Sequence, residues 1–298
     1  MNKVARFLLL TTVFAIFVGA MAYGARQNSF TGGHGETWFR RTFATRRAKA
    51  RPQTQAASLP ARDAQAVSLA KQAVSALVGG ATVTDVKVEG TSSLIAGSDQ
   101  ESGSATLEAR TGYESRIVLS LSGGQRSEVR NGSGTPPHGK WSGSDATWHT
   151  MPLHSCWTDP TWFFPALTLQ SALSDPQISF AYVGQGTKRD VAVQHIRMSR
   201  VVSGQTTTTT SLIQRLSQVD IYLDSATNLP VAIDFNLHPD TDAGLDLPLE
   251  VQFSGWQPVN GIQVPSRIQK FLQGSLTLDL SGVTISVNTG LPQSDFTI

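Results

Sequence analysis

The sequence predicts a mainly β protein of the α+β class: an antiparallel meander of about ten to eleven short strands accompanied by two helices. Three observations carry this. Apolar residues recur every three to four positions between residues 58 and 80, and mostly every second position afterwards. The alternating runs are separated by clusters of Gly, Ser, Asn and Asp, as expected of short strands joined by turns. In GWQPVNGIQVPSRI, Asn260 and Gly261 both tolerate positive φ, which suits the type I′ turn that matches strand twist. Ile262, Val264 and Ile268 of that hairpin share one face while Gln263 and Arg267 do not, so the sheet has a dry face and a wet one.

Residues 1–22 have the parts of an export signal. Lys3 and Arg6 give a positive start, Phe7 to Ala20 is apolar, and Ala20-Met21-Ala22 is a small-x-small cleavage site. The apolar run is shorter than the roughly twenty residues of a spanning helix. The expected location is therefore periplasmic or secreted, with an inner-membrane anchor over residues 7–25 as the alternative. Residues 23–60 read as a basic linker rich in Pro, Ala and Gln. Eight Lys/Arg face one acid, Glu36, between Arg26 and Arg62. The plain reading is a flexible solvated tether; the sharper one is contact with an anionic membrane surface or an envelope polymer. A nucleic-acid binder would carry its basic excess on the folded domain, whereas the whole chain has a formal charge of only +2, so no nucleic-acid partner is expected.

The folded domain is expected over 61–298. Ser58 caps its first helix, Pro60 sits in the first turn, Val67, Ala70, Val74 and Leu77 recur at helical spacing, and Gly79-Gly80 stop it after about five turns. The strands TVTDVKVEG, SATLEAR and YESRIVLSL follow, the last with Ile117, Leu119 and Leu121 on one face. The turns between and after them are AGSDQESG, SGGQ and the long NGSGTPPHGKWSGSD. The middle of the chain holds Trp141, Trp148, Trp157 and Trp162. There Asp159-Pro160 form a cap, and Pro165 opens a second helix containing Leu167, Leu169 and Leu173 that ends at Asp175-Pro176. Aromatic residues this dense either fill a core or line a cavity. The cavity candidates are Trp148, Trp157, Trp162, Phe163 and Phe164, with Val74 and Leu77 of the first helix.

In the last third, ISFAYVGQ pairs with VAVQHIRMSRVV around Gly186-Thr187-Lys188. The run Thr206 to Thr210 reads as a polar loop entering a strand. SQVDIYLDSATNLPVAIDF is a hairpin turning through Asp224 to Asn228, and LPLEVQFSGW, GIQVPSRIQKF, GSLTLDLSG and TISVN complete the set.

No catalytic constellation is present: there is no Gly-x-Ser-x-Gly elbow, HExxH or phosphate loop, and no enzyme activity or cofactor is expected. Gly184-Gln185-Gly186 lacks a third glycine and reads as part of a hairpin turn. His149, His154 and Cys156 match no zinc spacing, and Asp240 to Asp246 begins like a calcium loop but has Val251 where a closing Glu is needed, so no metal is expected. Cys156 is the single cysteine, which excludes an intramolecular disulfide and reads as a small buried hydrophobe.

The block from Asp220 to Phe296 resembles the LolA/LolB-like superfamily of periplasmic lipoprotein carriers, closest to its exported bacterial relatives. The likeness is carried by Asp224, Leu229 and Pro230, by Trp256 before Val259-Asn260-Gly261, by Val264-Pro265, and by the terminal Asn288, Ser294 and Phe296. It extends over roughly 61–298. It implies a curved antiparallel sheet, an incomplete β-barrel, closed by helices on its concave side, with acyl chains held between sheet and helices. The expected function is a non-enzymatic exported binding protein that shelters a lipid or an acylated protein. The alternative is an envelope interaction module with a filled core, working through its tether.

Overall fold

The computed structural model describes residues 60–298 except 112, 133, 135, 159 and 160. The export signal, nearly all of the linker, Ser58 and the Asp159-Pro160 cap lie outside the described residues. Three α-helices and thirteen strands are present among the described residues. The helices are α1 (Ala64–Val78), α2 (Pro165–Ser174) and α3 (Thr207–Leu216). The strands are β1 (Asp85–Ala96), β2 (Asp99–Arg110), β3 (Glu114–Leu121), β4 (Gly124–Asn131), β5 (His138–Ser142), β6 (Trp148–Thr150), β7 (Ile178–Lys188), β8 (Val191–Arg200), β9 (Val219–Asp224), β10 (Pro230–Leu237), β11 (Leu247–Val259), β12 (Ile262–Leu272) and β13 (Ser275–Val287).

All thirteen form one open antiparallel sheet in the order β6-β5-β4-β3-β2-β1-β13-β12-β11-β10-β9-β8-β7. The first and last strands of the chain meet in its middle, where Val86 pairs with Val287 and Leu94 with Leu278. The strand count corrects the expected ten to eleven. Three strands, β4 to β6, are built from stretches that read as turn or loop. Conversely GSLTLDLSG and TISVN are one strand, β13, bent at Gly282, whose φ is 61°.

Helix α1 shows why the sheet must curl. It packs against β12 and also against β7 and β8. In a flat sheet β12 and β7, five positions apart, would lie about 24 Å from each other. A helix is only about 10–12 Å across, so the sheet wraps around it. Its buried face, Ala66, Leu69, Ala70, Ala73, Leu77 and Val78, is mostly small near the N-terminus, which permits this close approach. The helix starts later than the sequence suggests. Asp63 is the cap, its Oδ1 accepting from Ala66 N at 2.8 Å. Pro60 and Ala61 precede it as chain laid beside β7, with Asp63 N donating to Phe180 O at 2.9 Å and Phe180 N to Ala61 O at 3.0 Å. The C-terminal stop at Gly79 is as expected, in the left-handed region with its N–H on Ser75 O.

Two further corrections concern turns. The β7–β8 turn is Arg189-Asp190, both at positive φ (53° and 63°), and Gly184 to Lys188 belong to β7. Thr206 to Thr210 do not enter a strand. Thr206 caps α3 through Thr209 N, and the helix is anchored by buried Ile213 and Leu216. The Asn260-Gly261 turn is as expected, at φ 51° and 82° between β11 and β12.

Most residues that carry the family resemblance hold the fold together. Asp224 Oδ1 accepts from Ala226 N and Thr227 N and so shapes the β9–β10 turn. Trp256 Nε1 donates to Pro230 O. Asn288 bonds Thr84 N and Thr82 O, and Phe296 is fully buried.

Candidate functional site

The two ends of the curled sheet approach each other without pairing, and their gap is bridged by side chains and by α2 and α3. Asp175, the C-cap of α2, is the pivot. It accepts from Tyr113 Oη at 3.0 Å, from the β2–β3 turn, and from Arg200 Nη1 at 3.0 Å, from the end of β8. The Arg200 guanidinium also lies 4.6 Å from the centre of the Tyr113 ring. Arg62 clamps the same helix end by donating to the carbonyls of Asp175 and Leu173.

Above this cluster opens a cleft of about 810 Å³. One wall is the 3₁₀ turn Leu153–Trp157 and the β4–β5 loop; the other is α3 and the chain leading to it. Its apolar lining comes from Pro136, Pro137, Leu153, Trp157, Val202, Leu212, Ile213 and Leu216. Its polar residues are His154, Asp175, Gln177, Arg200, Gln205 and Thr209. Leu153 and Leu212 are 51% and 41% exposed, so two large apolar side chains stand in water at the entrance. Beyond Tyr113, Trp157 and Arg200 the cleft narrows to an inner branch of about 60 Å³ lined by Cys156, Thr168, Ala172, Ile178, Met198 and Val219.

The rim is polar and locally acidic. His154 Nε2 lies 2.9 Å from Pro239 O, which docks the loop after β10 beside the cleft. In that loop Asp246 accepts from Arg215 of α3 at 2.8 Å and lies 2.9 Å from His238 Nε2. Burial pushes the Asp240 carboxyl up to about 6, against the pull of His154 and His149, and its Oδ1 has no hydrogen-bond partner among the described residues. A carboxyl that rises on folding holds its proton in the native state after the unfolded chain has lost it, so its favourable contribution is lost as pH rises from about 3.8 to about 6. Asp240→Asn is therefore expected to be more stable than wild type at pH 7 and to match it near pH 3.5; urea midpoints at the two pH values check this.

Of the cavity candidates, Trp157 lines the cleft. Trp162, Phe163, Phe164 and Leu77 are buried in the main core between sheet and helices, and Val74 packs half-buried against it. Trp148, 49% exposed, lies under the Lys140 ammonium at 4.8 Å. The cleft residues not foreseen, among them Tyr113, Leu153, Asp175, Arg200 and Leu212, belong to five separate segments. Cys156 is buried and free, its thiol raised to about 11 by burial. Among the described residues, no group of three or more His, Cys, Asp or Glu is placed to hold a metal ion, and no helix is long and apolar enough to cross a membrane.

No family model and no curated protein matches the chain. Among solved structures it is similar to a DUF1329 family protein from Desulfovibrio piger, with a TM-score of 0.48 and 11% identity over 78% of this chain and 96% of that one. It is also similar to a LolA superfamily protein from Nitrosomonas europaea, with a TM-score of 0.47 and 8% identity over 78% of this chain and 97% of that one. The LolA-like likeness read from the sequence is met again in these structures. At such identities and TM-scores they say nothing about ligand or activity, which rest on the cleft itself.

Proposed function

We propose that the protein is an exported, non-enzymatic binding protein that shelters an apolar chain, such as a lipid or a lipoprotein acyl group, in the cleft between the 3₁₀ turn and α3. The observation that carries this is the open apolar cleft with Leu153 and Leu212 exposed at its mouth. Its volume lies within the range of small-molecule sites. Each methylene moved from water to such a lining gains about 0.8 kcal/mol, so burying about ten offsets several kcal/mol of lost freedom. The lining supports binding rather than chemistry: the Cys156 thiol in the inner branch is held protonated, and Arg200 is already paired with Asp175. The export signal read in residues 1–22 puts this activity in the envelope, and the basic tether is suited to contact with anionic membrane surfaces.

Native mass spectrometry of the chain purified from a membrane-containing host tests the proposal. A mass excess that is removed by solvent extraction and matches an acyl lipid is expected. A clean apoprotein mass, unchanged by incubation with phospholipid vesicles, overturns it.

A further inference from the structure

We infer that the cleft is also a docking site for the chain's own basic aromatic segment, residues 38–51, which competes there with the apolar ligand. The inference rests on reading the cleft as an apolar-ligand site. Three observations converge on this occupant. First, the described chain begins at the cleft. Arg62 grips the carbonyls of Leu173 and Asp175, and Asp175 itself lines the cleft, so everything before Pro60 leads away from this rim.

Second, the segment WFRRTFATRRAKAR combines what the site asks for. Trp38, Phe39 and Phe43 are apolar and of a size to cover Leu153 and Leu212, and six Lys/Arg follow or separate them. The loop beside the cleft, PDTDAGLD from Pro239 to Asp246, carries three aspartates and no base. Asp246 is paired with Arg215, while Asp240 and Asp242 form no ion pair with Lys or Arg among the described residues. Apolar groups facing an apolar lining, with basic groups facing an acidic loop, give both affinity and orientation.

Third, the distance is right. About 17 residues separate Phe43 from Pro60, and a chain of that length with coil statistics has an r.m.s. reach of about 23 Å. A tether of this kind gives an effective concentration on the order of 1 mM. An intrinsic affinity of about 0.1 mM would fill roughly nine-tenths of the clefts and weaken an external ligand about tenfold.

The test compares the full chain with a Trp38→Ser/Phe39→Ser/Phe43→Ser variant, using 11-dansylaminoundecanoic acid as probe and amide exchange of 153–157 and 207–216 without probe. The expected result is about tenfold tighter probe binding by the variant, with faster exchange in both segments. Equal probe binding together with equal exchange overturns the inference and leaves the carrier reading intact. Exchange that quickens in the variant while neither chain binds the probe supports cis docking and overturns the carrier reading. Protection that grows with protein concentration assigns the segment to a second copy and overturns docking in cis.

Discussion

Glu128→Ala is expected to lose about 3–5 kcal/mol of folding stability. Strand β4 turns charged side chains toward the interior: Glu128 stands opposite Ile117 and Arg126 opposite Leu119, in register with the dry face of β3. Arg126, Glu128 and Arg130 are 2%, 6% and 6% exposed. Arg130 Nε donates to Glu128 Oε1 at 2.6 Å, and its Nη1 bonds the carbonyls of Ser155 and Thr158 at 3.0 and 3.3 Å. Lys270, from β12 on the far side of the curl, is fully buried with its ammonium 4.0 Å from the centre of the Trp162 ring. Burial brings Lys270 down to about 7, with Glu128 favouring its charged form and Arg130 opposing it. Removing Glu128 leaves two cations facing one interior without their anion. Urea unfolding at pH 7 measures the loss. A Glu128→Met/Arg130→Met double variant is expected to recover most of it, because replacing both partners removes the desolvation cost along with the attraction. A single variant within 1 kcal/mol of wild type would show that water reaches the pair.

The second large effect concerns binding with little change in stability. Leu153→Asp/Leu212→Asp is expected to weaken the dansyl fatty acid at least tenfold. Each leucine offers apolar area at the mouth of the cleft, worth about 1 kcal/mol or more to a ligand that covers it, and each carboxylate put in its place must be desolvated when the ligand enters. Both side chains are around half exposed in the free protein, so the folded state loses little, within about 0.5 kcal/mol per site. Fluorescence titration reads the affinity and a urea midpoint the stability. Unchanged affinity in a stable double variant would place the ligand elsewhere.

Much of the sheet was legible in the sequence. β1, β3, β9 to β12 and the α2 boundaries are set by period-two apolar runs, by Asn260-Gly261 and by Pro165, and they stand where these signals put them. β4 was not legible because GQRSEVRN has no apolar alternation. Its inward positions are Arg126, Glu128 and Arg130, which are tolerated only because partners from β2, β4 itself and the 3₁₀ turn satisfy them. The β5 and β6 strands sit in a stretch dominated by Gly, Ser and Pro, where ladder bonds to β4 outweigh local preference. In α3 the threonines cost only a few tenths of a kcal/mol each as helix residues, and the buried Ile213 and Leu216 overcome that. The start of α1 moved from Ser58 to Asp63 because chain up to Asp63 is drawn into bonds with β7, a contact more than a hundred residues away in sequence.

By itself the sequence determined the fold class, the alternation that gives the sheet a dry side, most turns, and the bias of positive charge toward residues 26–62. These are consequences of local periodicity, glycine and proline geometry, and composition. Only the tertiary structure decided that the sheet stays open and that its gap becomes a cleft. Tyr113, Leu153, Asp175, Arg200 and Leu212 are each ordinary in their own segments: a turn tyrosine, a loop leucine, a helix cap, a strand-end arginine and a leucine on an amphipathic helix. They form a site because a sheet of thirteen strands, wound around one helix, brings its two ends to face each other. That closure depends on contacts between residues far apart in the chain, and no local pattern records them.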